Sequence, residues 1–233
     1  MTARIVADDA AGRADAAAVL RAGGVVALPT DTVYGIGVAL DTPGGVERLF
    51  AAKRRPPEKG IMLLLDDAAQ AAAIGVMTPA ARALARACWP GGLTVIVPQR
   101  DDLPLPAVLT GGAPTIGLRA PDHDAPRALA RAVGPLPVTS ANVSGLPEAG
   151  DAAEILAQLG EAVDLILDGG PAHGGPASTV VDCTGDRPVI LRIGAVPMER
   201  LIGVLDAAAV PHDLRTALPP DAPDPQAPGR EGP

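Results

Sequence analysis

Short apolar runs alternate with Ala-rich amphipathic stretches along most of this chain. The apolar runs predict buried strands at 25–28, 61–65, 93–97, 115–119, 165–168, 178–182 and 189–193, and a short strand from Val138 that ends in 139–142. The stretches with a helical period predict helices at 12–21, 43–53, 66–74, 78–88, 125–133, 151–159 and 198–205. This alternation predicts an α/β fold, a twisted sheet flanked by helices. Two strands joined by a turn at Gly185–Asp186 favour a mixed sheet.

The end of the chain has a different composition. From about Pro211 onward proline, aspartate and glycine dominate, and there is almost nothing apolar to bury. A segment of this kind cannot offset its conformational entropy by burying apolar surface. We therefore predict one domain over 1–208 and a Pro-rich disordered tail over 209–233.

Composition narrows the classes of function. The 233 residues carry a formal net charge of −8. That charge argues against a broad nucleic-acid-binding face but leaves room for a local basic pocket that takes a small polyanion. No apolar run approaches the ~20 residues of a membrane span, and Asp8, Asp9 and Asp15 interrupt any signal-peptide pattern. We expect a cytoplasmic protein without membrane contact.

The cysteines and histidines show no spacing typical of a metal or redox site. Cys88 and Cys183 lie far apart in the sequence, and we expect two buried, reduced thiols. The three histidines also lack ligand spacing, so no protein-held metal site is predicted.

The densest positive charge lies in the segment 53–60, which holds Lys53 and Lys59, the only two lysines of the chain, together with Arg55. One interpretation is that these cations end a helix, since Pro56–Pro57 stops it and positive charge suits its C-terminal pole. The other is an anion site, because lysine is a compact charge for a phosphate oxygen and arginine offers a planar fork.

Three further loops follow predicted strands and carry hydroxyl, amide or cationic groups, at 29–37, 115–121 and 139–145. Ligands of α/β sheets gather outside strand ends. Each loop also has an ordinary structural interpretation. The loop 29–37 can be an Asp-bearing turn, Arg119 in 115–121 can form a salt bridge at the rim, and 139–145 can cap the turn that follows it. Arg192 lies inside an apolar strand, where a charge is costly unless it is paired.

Taken together, these segments resemble the YrdC-like threonylcarbamoyl-AMP synthase family in its single-domain form. The matching motifs are Pro29-Thr-Asp-Thr-Val-Tyr-Gly-Ile-Gly37, Lys53-Arg-Arg55, Trp89-Pro-Gly-Gly-Leu-Thr94, Gly117-Leu-Arg-Ala-Pro121, Thr139-Ser-Ala-Asn-Val-Ser-Gly145, Ser178-Thr-Val-Val181 and Leu191-Arg-Ile-Gly194. Lys53 and Arg55 with Ser140 and Asn142 form the diagnostic signature of the family. The motifs occur in family order over about 13–205 and imply a YrdC-like sheet with a concave ligand cleft.

The resemblance implies a reaction of L-threonine, bicarbonate and ATP that gives threonylcarbamoyl-AMP and pyrophosphate, for threonylcarbamoyladenosine in tRNA. ATP is then a substrate, and Mg2+ is expected to accompany it. The resemblance implies catalytic roles for Lys53, Arg55, Ser140 and Asn142. It implies ATP contacts for Arg55, Lys59, Thr115, Asn142 and Arg192. It implies a threonine site made by Thr32, Arg119, Ser140 and Ser178.

Expected partners follow from the same resemblance: a weak contact with tRNA, and threonylcarbamoyl-transferase proteins that take the product onward. Two rival functions remain open. One is an RNA-binding module of the same fold, which the acidic balance disfavours. The other is a carbamoyl-transfer domain, as in hydrogenase maturation proteins, whose extra zinc-finger-like and acyl-phosphatase segments have no counterpart here.

Overall fold

The structure is a computed structural model, which describes residues 3–172 and 174–214. Its strands are β1 (Arg4–Ala7), β2 (Val26–Leu28), β3 (Gly35–Gly37), β4 (Met62–Leu64), β5 (Leu93–Pro98), β6 (Thr115–Arg119), β7 (Leu136–Ser140), β8 (Leu165–Asp168), β9 (Thr179–Asp182) and β10 (Val189–Arg192). Its helices are α1 (Ala10–Arg21), α2 (Gly45–Lys53), α3 (Ala68–Ile74), α4 (Pro79–Cys88), α5 (Ala107–Thr110), α6 (Asp124–Val133), α7 (Ala152–Leu159) and α8 (Met198–Ala207).

All of these strands join one mixed sheet in the order β1-β8-β2-β3-β7-β4-β6-β5-β9-β10. Parallel pairs such as β4–β6 and β5–β9 stand beside antiparallel pairs such as β3–β7 and β5–β6. The last two strands form the antiparallel hairpin predicted from the sequence. The predicted α/β fold with a mixed sheet is therefore confirmed.

Helices cover the two faces of the sheet unequally. On one face, α1 and α6 contact each other and pack over β8, β2, β7 and β4, where they bury Leu20 and Leu129. The other half of that face, over β6, β5, β9 and β10, has no such helical cover within the described residues. The opposite face carries the larger apolar cluster, to which Leu49, Leu84 and Leu201 of α2, α4 and α8 belong. The uncovered half leaves room for a ligand.

Side-chain caps fix where several helices begin. Thr78 Oγ1 accepts a hydrogen bond from the backbone N–H of Ala81, and Asp151 Oδ1 accepts one from Glu154. Both residues occupy the capping positions that the sequence predicts. At α6 the cap is His123, whose Nδ1 accepts from Ala125 N.

Three elements were not predicted: β1, β3 and α5. The motif at 35–37 reads as a loop because glycines disfavour strands, yet it pairs with β2 on one side and β7 on the other. A Cβ on Gly35 would lie 2.6 Å from a methyl of Val138, and one on Gly37 would lie 2.8 Å from the other methyl. The glycines are needed here for close packing against β7.

The described residues continue past the predicted domain boundary at residue 208. Val210 packs against the apolar core, Leu214 is buried within it, and Asp213 forms an ion pair with Arg187 beside the β9–β10 turn. The sequence predicted a tail because proline, aspartate and glycine dominate from about Pro211 onward and few apolar residues are left to bury. The remaining tail prediction, over 215–233, lies outside the described residues.

Both cysteines are buried and unpaired, as predicted. Among the described residues, none of the helices combines the length and the apolar character that crossing a membrane requires.

Thr179 connects β9 to the turn that precedes α8. Its fully buried hydroxyl donates to Val196 O at 2.7 Å and accepts from Gly194 N at 2.9 Å and from Val196 N at 3.0 Å. One side chain therefore satisfies three backbone groups, and a buried polar group without a partner costs about 1–3 kcal/mol.

We expect Thr179→Val to lower the free energy of unfolding by roughly 3 kcal/mol, because the shape is kept while these backbone groups lose their partner. The matched control is Thr110→Val, since the Thr110 hydroxyl bonds only within its own helical turn, at 3.3 Å. Its effect should stay below about 1 kcal/mol. Urea unfolding of both variants provides the measurement, and equal effects would contradict this role of Thr179.

Candidate active site

A cavity of about 450 Å³ lies on the uncovered half of the sheet. Because side chains of a strand point alternately to its two faces, Thr115, Gly117 and Arg119 of β6 line the cavity while Ile116 and Leu118 point mainly toward the core. Thr94 and Ile96 of β5 follow the same alternation. The volume is in the range typical of small-molecule sites.

Most of the residues predicted from the sequence meet at this cavity. Its lining includes Thr32, Arg55, Lys59, Thr115, Arg119, Ser140, Ser178 and Arg192. Lys53 and Asn142 do not line it. They lie behind Ser140, with exposed fractions of 2% and 8%.

Lys53 has a buried amino group with three protein acceptors. Its Nζ lies 2.7 Å from Ser140 O, 3.0 Å from Ser140 Oγ and 2.8 Å from Asn142 Oδ1. A lysine ammonium has three hydrogens, and these partners account for all of them. The ammonium therefore has no donor left for a ligand, and the catalytic role expected for Lys53 stays a prediction that would have to act through Ser140.

Asn142 holds the segment that follows β7. Its Oδ1 accepts from Ser140 Oγ at 2.7 Å, and its Nδ2 donates to Leu146 O at 2.7 Å. Ser144 N donates to the backbone carbonyl of Lys53, so both the backbone and the side chain of Lys53 bond the end of α2 to the segment at the end of β7. Both polar atoms of the Asn142 amide thus have partners within the protein. The expected ATP contact of Asn142 stays a prediction.

Burial is the main reason that the pKa of Lys53 lies well below the ordinary value of a lysine. The pKa of Lys53 is lowered to about 7, mainly by burial and also by the nearby charge of Arg55, while Glu148 opposes the shift. Removing an ammonium from water disfavours its charged form.

Arg55 organises the loop between α2 and β4. Its Nε donates to Lys59 O and its Nη2 donates to Gly60 O, both at 2.8 Å. Burial lowers the pKa of this guanidinium, yet an arginine stays charged at any ordinary pH. The Nη1 hydrogens and the other Nη2 hydrogen have no protein acceptor among the described residues.

Arg119 stands at the end of β6 and is buried. Its Nη2 donates to Asp31 Oδ1 at 2.5 Å, its Nη1 to Thr32 Oγ1 at 3.1 Å and its Nε to Gly91 O at 3.1 Å. Burial lowers the pKa of Arg119, and the Asp31 carboxylate opposes that shift. Among the described residues, one hydrogen on each terminal nitrogen has no acceptor, which is the pattern that binds a carboxylate.

Hydroxyl groups make up another part of the wall. Thr30 donates its only hydroxyl hydrogen to Val33 O, so in the Thr30–Thr32 pair the Thr32 hydroxyl is the donor. Thr32 Oγ1 then keeps one lone pair beyond the one that Arg119 uses. Ser178 Oγ accepts from Arg192 Nη2 at 3.2 Å and lies 2.9 Å from Thr94 Oγ1.

Sequence reasoning gave no site role to several lining residues: Thr94, Gly117 and the carboxylates of Glu58 and Glu148. The alternation along β5 and β6 could have identified the first two, since both share a face with polar or small neighbours. No sequence signal places the two glutamates. Within the described residues, no group of three or more His, Cys, Asp or Glu side chains could hold a metal ion.

The comparisons with known proteins agree on one family. Residues 18–194 match the Sua5/YciO/YrdC family model, described as telomere recombination. The threonylcarbamoyl-AMP synthase of Bacillus subtilis is 37% identical over 203 residues, which cover 86% of this chain and 58% of the relative. The putative threonylcarbamoyl-AMP synthase of Mycobacterium tuberculosis is 39% identical over 202 residues, 85% of this chain and 92% of the relative.

Solved structures show the same fold. The Sua5 of Pyrococcus abyssi, complexed with L-threonine, superposes with a TM-score of 0.82 at 30% identity and covers 98% of this chain and 66% of its own. The YciO of E. coli superposes with a TM-score of 0.75 at 27% identity and covers 86% of this chain and 98% of its own. Full-length HypF superposes with a TM-score of 0.68 at 20% identity, a likeness that shows only a shared fold. The chain thus spans a little over half to two thirds of some relatives and nearly all of others.

Gly117 tests whether this cavity binds the ligand. A Cβ there would lie 3.4 Å from both Met62 and Thr94, an ordinary contact, so a longer side chain would extend into the cavity. We expect Gly117→Leu to weaken binding of L-threonine or ATP at least tenfold, while the free energy of unfolding changes by less than about 1 kcal/mol.

Isothermal titration calorimetry and urea unfolding check this expectation. The matched control is Gly203→Leu, at an exposed site on α8 where a Cβ meets nothing within 4 Å. If Gly117→Leu bound both ligands as the control does, the cavity would not be their site.

Proposed function

The chain belongs to the Sua5/YciO/YrdC family, and from that premise we propose that it synthesises L-threonylcarbamoyl-AMP from L-threonine, bicarbonate and ATP with release of pyrophosphate. The observation that carries the proposal is the lining of the cavity, in which Arg55, Lys59, Arg119 and Arg192 gather in a chain of net charge −8. Relatives named for this synthesis match at 37–39% identity. A cavity of this charge suits a triphosphate and a carboxylate together.

Threonine binds beside Arg119 in this proposal. The free hydrogens on Nη1 and Nη2 of Arg119 receive the carboxylate in a bidentate manner, and Asp31 fixes the plane of the guanidinium. Thr32 and Ser140 offer oxygen lone pairs to the amino group. Ser178 contacts the substrate hydroxyl, and a site that bonds a hydroxyl discriminates strongly against its apolar analogue, valine.

ATP binds where the loop after α2 faces β6 and β10. The charge of Arg55 and Lys59 stabilises the triphosphate, and Thr115 and Arg192 complete the nucleotide site. Arg192 donates hydrogen bonds to Ser178 O and Ser178 Oγ. These bonds offset the cost of placing a charged side chain in an apolar strand.

The chemistry needs positioned charge more than a nucleophile from the protein. The neutral amine of threonine forms a carbamate, a carbamate oxygen attacks the α-phosphorus, and pyrophosphate leaves. Negative charge builds up on phosphate oxygens during this transfer, and cations fixed in position stabilise it.

Mg2+ fits this site as an ion that arrives with ATP. The described residues hold no cluster that would bind it alone, but Glu58 and Glu148 line the cavity beside Lys59. Mg2+ usually binds one or two carboxylates together with substrate phosphates. Bound there, it would neutralise phosphate charge, and Glu58 and Glu148 are the residues that would hold it.

The wider role follows the family. We propose that the product serves threonylcarbamoyladenosine formation in tRNA, in the cytoplasm, and passes to threonylcarbamoyl-transferase proteins. Any direct contact with tRNA is expected to be weak, because the net charge of −8 repels nucleic acid. No observation favours an RNA-binding module or a carbamoyl-transfer domain over the synthase.

Purified protein with L-threonine, bicarbonate and ATP should release pyrophosphate, and replacing threonine with valine should slow this release by about 10⁴-fold. A coupled pyrophosphate assay measures both rates. Release that proceeds equally fast without threonine would contradict the proposed function.

Arg55→Ala should lower kcat/KM for ATP by at least about 100-fold, because a preorganised cation is lost from the phosphate site. The neighbouring Arg54, exposed and with φ of 52° at the C-terminal end of α2, provides the control. Arg54→Ala should change kcat/KM by no more than about twofold. Similar losses in both variants would indicate a loop defect and exclude a specific role for Arg55.

A further inference from the structure

Lys53 has an environment that does not suit a permanent charge. It is 2% exposed, and its hydrogen-bond partners are a carbonyl, a hydroxyl and an amide oxygen, with no carboxylate among them. An isolated ammonium in such a place is costly unless a counter-ion compensates it.

The charged groups around Lys53 also favour the neutral amine. Arg55, on the segment that follows α2, repels its charge, while Glu148, on the loop after β7, is the acidic group that opposes this effect. The side chains that β7 and its following turn place against the amine, Ser140 and Asn142, are uncharged. Burial and this balance bring its pKa to about 7.

The hydrogen bonds can accommodate either protonation state. The ammonium donates to Ser140 O, Ser140 Oγ and Asn142 Oδ1, while the Ser140 hydroxyl donates to Asn142. The neutral amine has two hydrogens, enough for the carbonyl and the amide oxygen, and a lone pair that accepts the Ser140 hydroxyl hydrogen at 3.0 Å.

Ser140 is the one member of this cluster that lines the cavity. Its oxygen therefore joins the buried amine to any substrate amino group that binds there. Threonine enters as an ammonium, and its nitrogen cannot attack carbon until one proton has left. No side chain that lines the cavity has been assigned to accept that proton.

We propose that Lys53, acting through the hydroxyl of Ser140, accepts the proton that the ammonium group of threonine must lose before carbamate formation. The inference rests on the proposed function and adds the proton acceptor that this function lacks. Ser140 contacts the substrate. Lys53 positions the Ser140 hydroxyl and takes up the proton that this hydroxyl passes on.

The proton transfer balances as follows. An N–H bond of threonine breaks and an O–H bond forms at Ser140 Oγ, while the original Ser140 O–H bond breaks and an N–H bond forms at Lys53 Nζ. The electron pair left on the threonine nitrogen then attacks the carbon of bicarbonate, which gives the carbamate and water. Lys53 afterwards returns its proton to solvent.

Titration of Lys53 tests the inference without relying on activity. The chain has only two lysines, so protein labelled with ¹³C at lysine Cε gives two NMR signals, which the Lys59→Arg variant assigns. We expect the Lys53 signal to titrate near pH 7. Titration near the ordinary value of about 10.4 would overturn the inference.

The pH dependence of the reaction provides the second test. In the wild type, kcat/KM for threonine should fall as the pH drops through about 7, since the protonated amine cannot accept a proton. Lys53→Met and Ser140→Ala should each lose about 10²–10⁴-fold in kcat and also lose this limb of the profile. The loss should shrink at alkaline pH, where free threonine is already neutral.

Lys53→Arg separates proton transfer from simple charge. It keeps a cation but cannot accept a proton, so it should be as impaired as Lys53→Met if the inference is right. Full activity of Lys53→Arg, or an equal loss at every pH in the other variants, would overturn it. A wild type without threonine-dependent pyrophosphate release would overturn the proposed function, and with it the role of Lys53. An active wild type whose Lys53 titrates near 10.4 would overturn the role of Lys53 alone.

Discussion

Incomplete helical cover of one sheet face is the constraint on which the site depends. α1 and α6 bury the half of that face over β8, β2, β7 and β4, and the half over β6, β5, β9 and β10 remains open. Because strand side chains alternate, the open half presents Thr94, Gly117 and Arg119 to the cavity while their neighbours complete the core behind it. Core and site are therefore two sides of the same strands.

Positive charge in the cavity is positioned by hydrogen bonds from the protein more than by salt bridges. Arg55 is held by two backbone carbonyls, and Arg192 is held by Ser178. Arg119 has a carboxylate partner, Asp31, but keeps two hydrogens free. Guanidinium groups fixed in this way retain unused donors and net charge, both of which an anionic substrate requires.

The sequence predicts much of this arrangement, and the exceptions have physical reasons. Strong apolar runs and the caps at Thr78 and Asp151 identify most elements. β1 lies at the edge of the sheet with an exposed pattern, and β3 is rich in glycine, so neither shows a strand signal. The motifs of the family contain the three arginines of the cavity lining together with Thr32, Ser140 and Ser178. A motif does not show how deeply each of its side chains is buried. The burial of Lys53 behind Ser140 is visible only in the structure.

The central claim is that one cavity joins threonine, a bicarbonate carbon and AMP into a single molecule. Mass spectrometry of the product mixture tests it most directly, with ¹³C-labelled bicarbonate and L-threonine supplied together with ATP. The account predicts a threonylcarbamoyl-AMP ion whose mass increases by the one labelled carbon. An ATP-consuming mixture in which AMP or ADP forms without any labelled threonine adduct would contradict it.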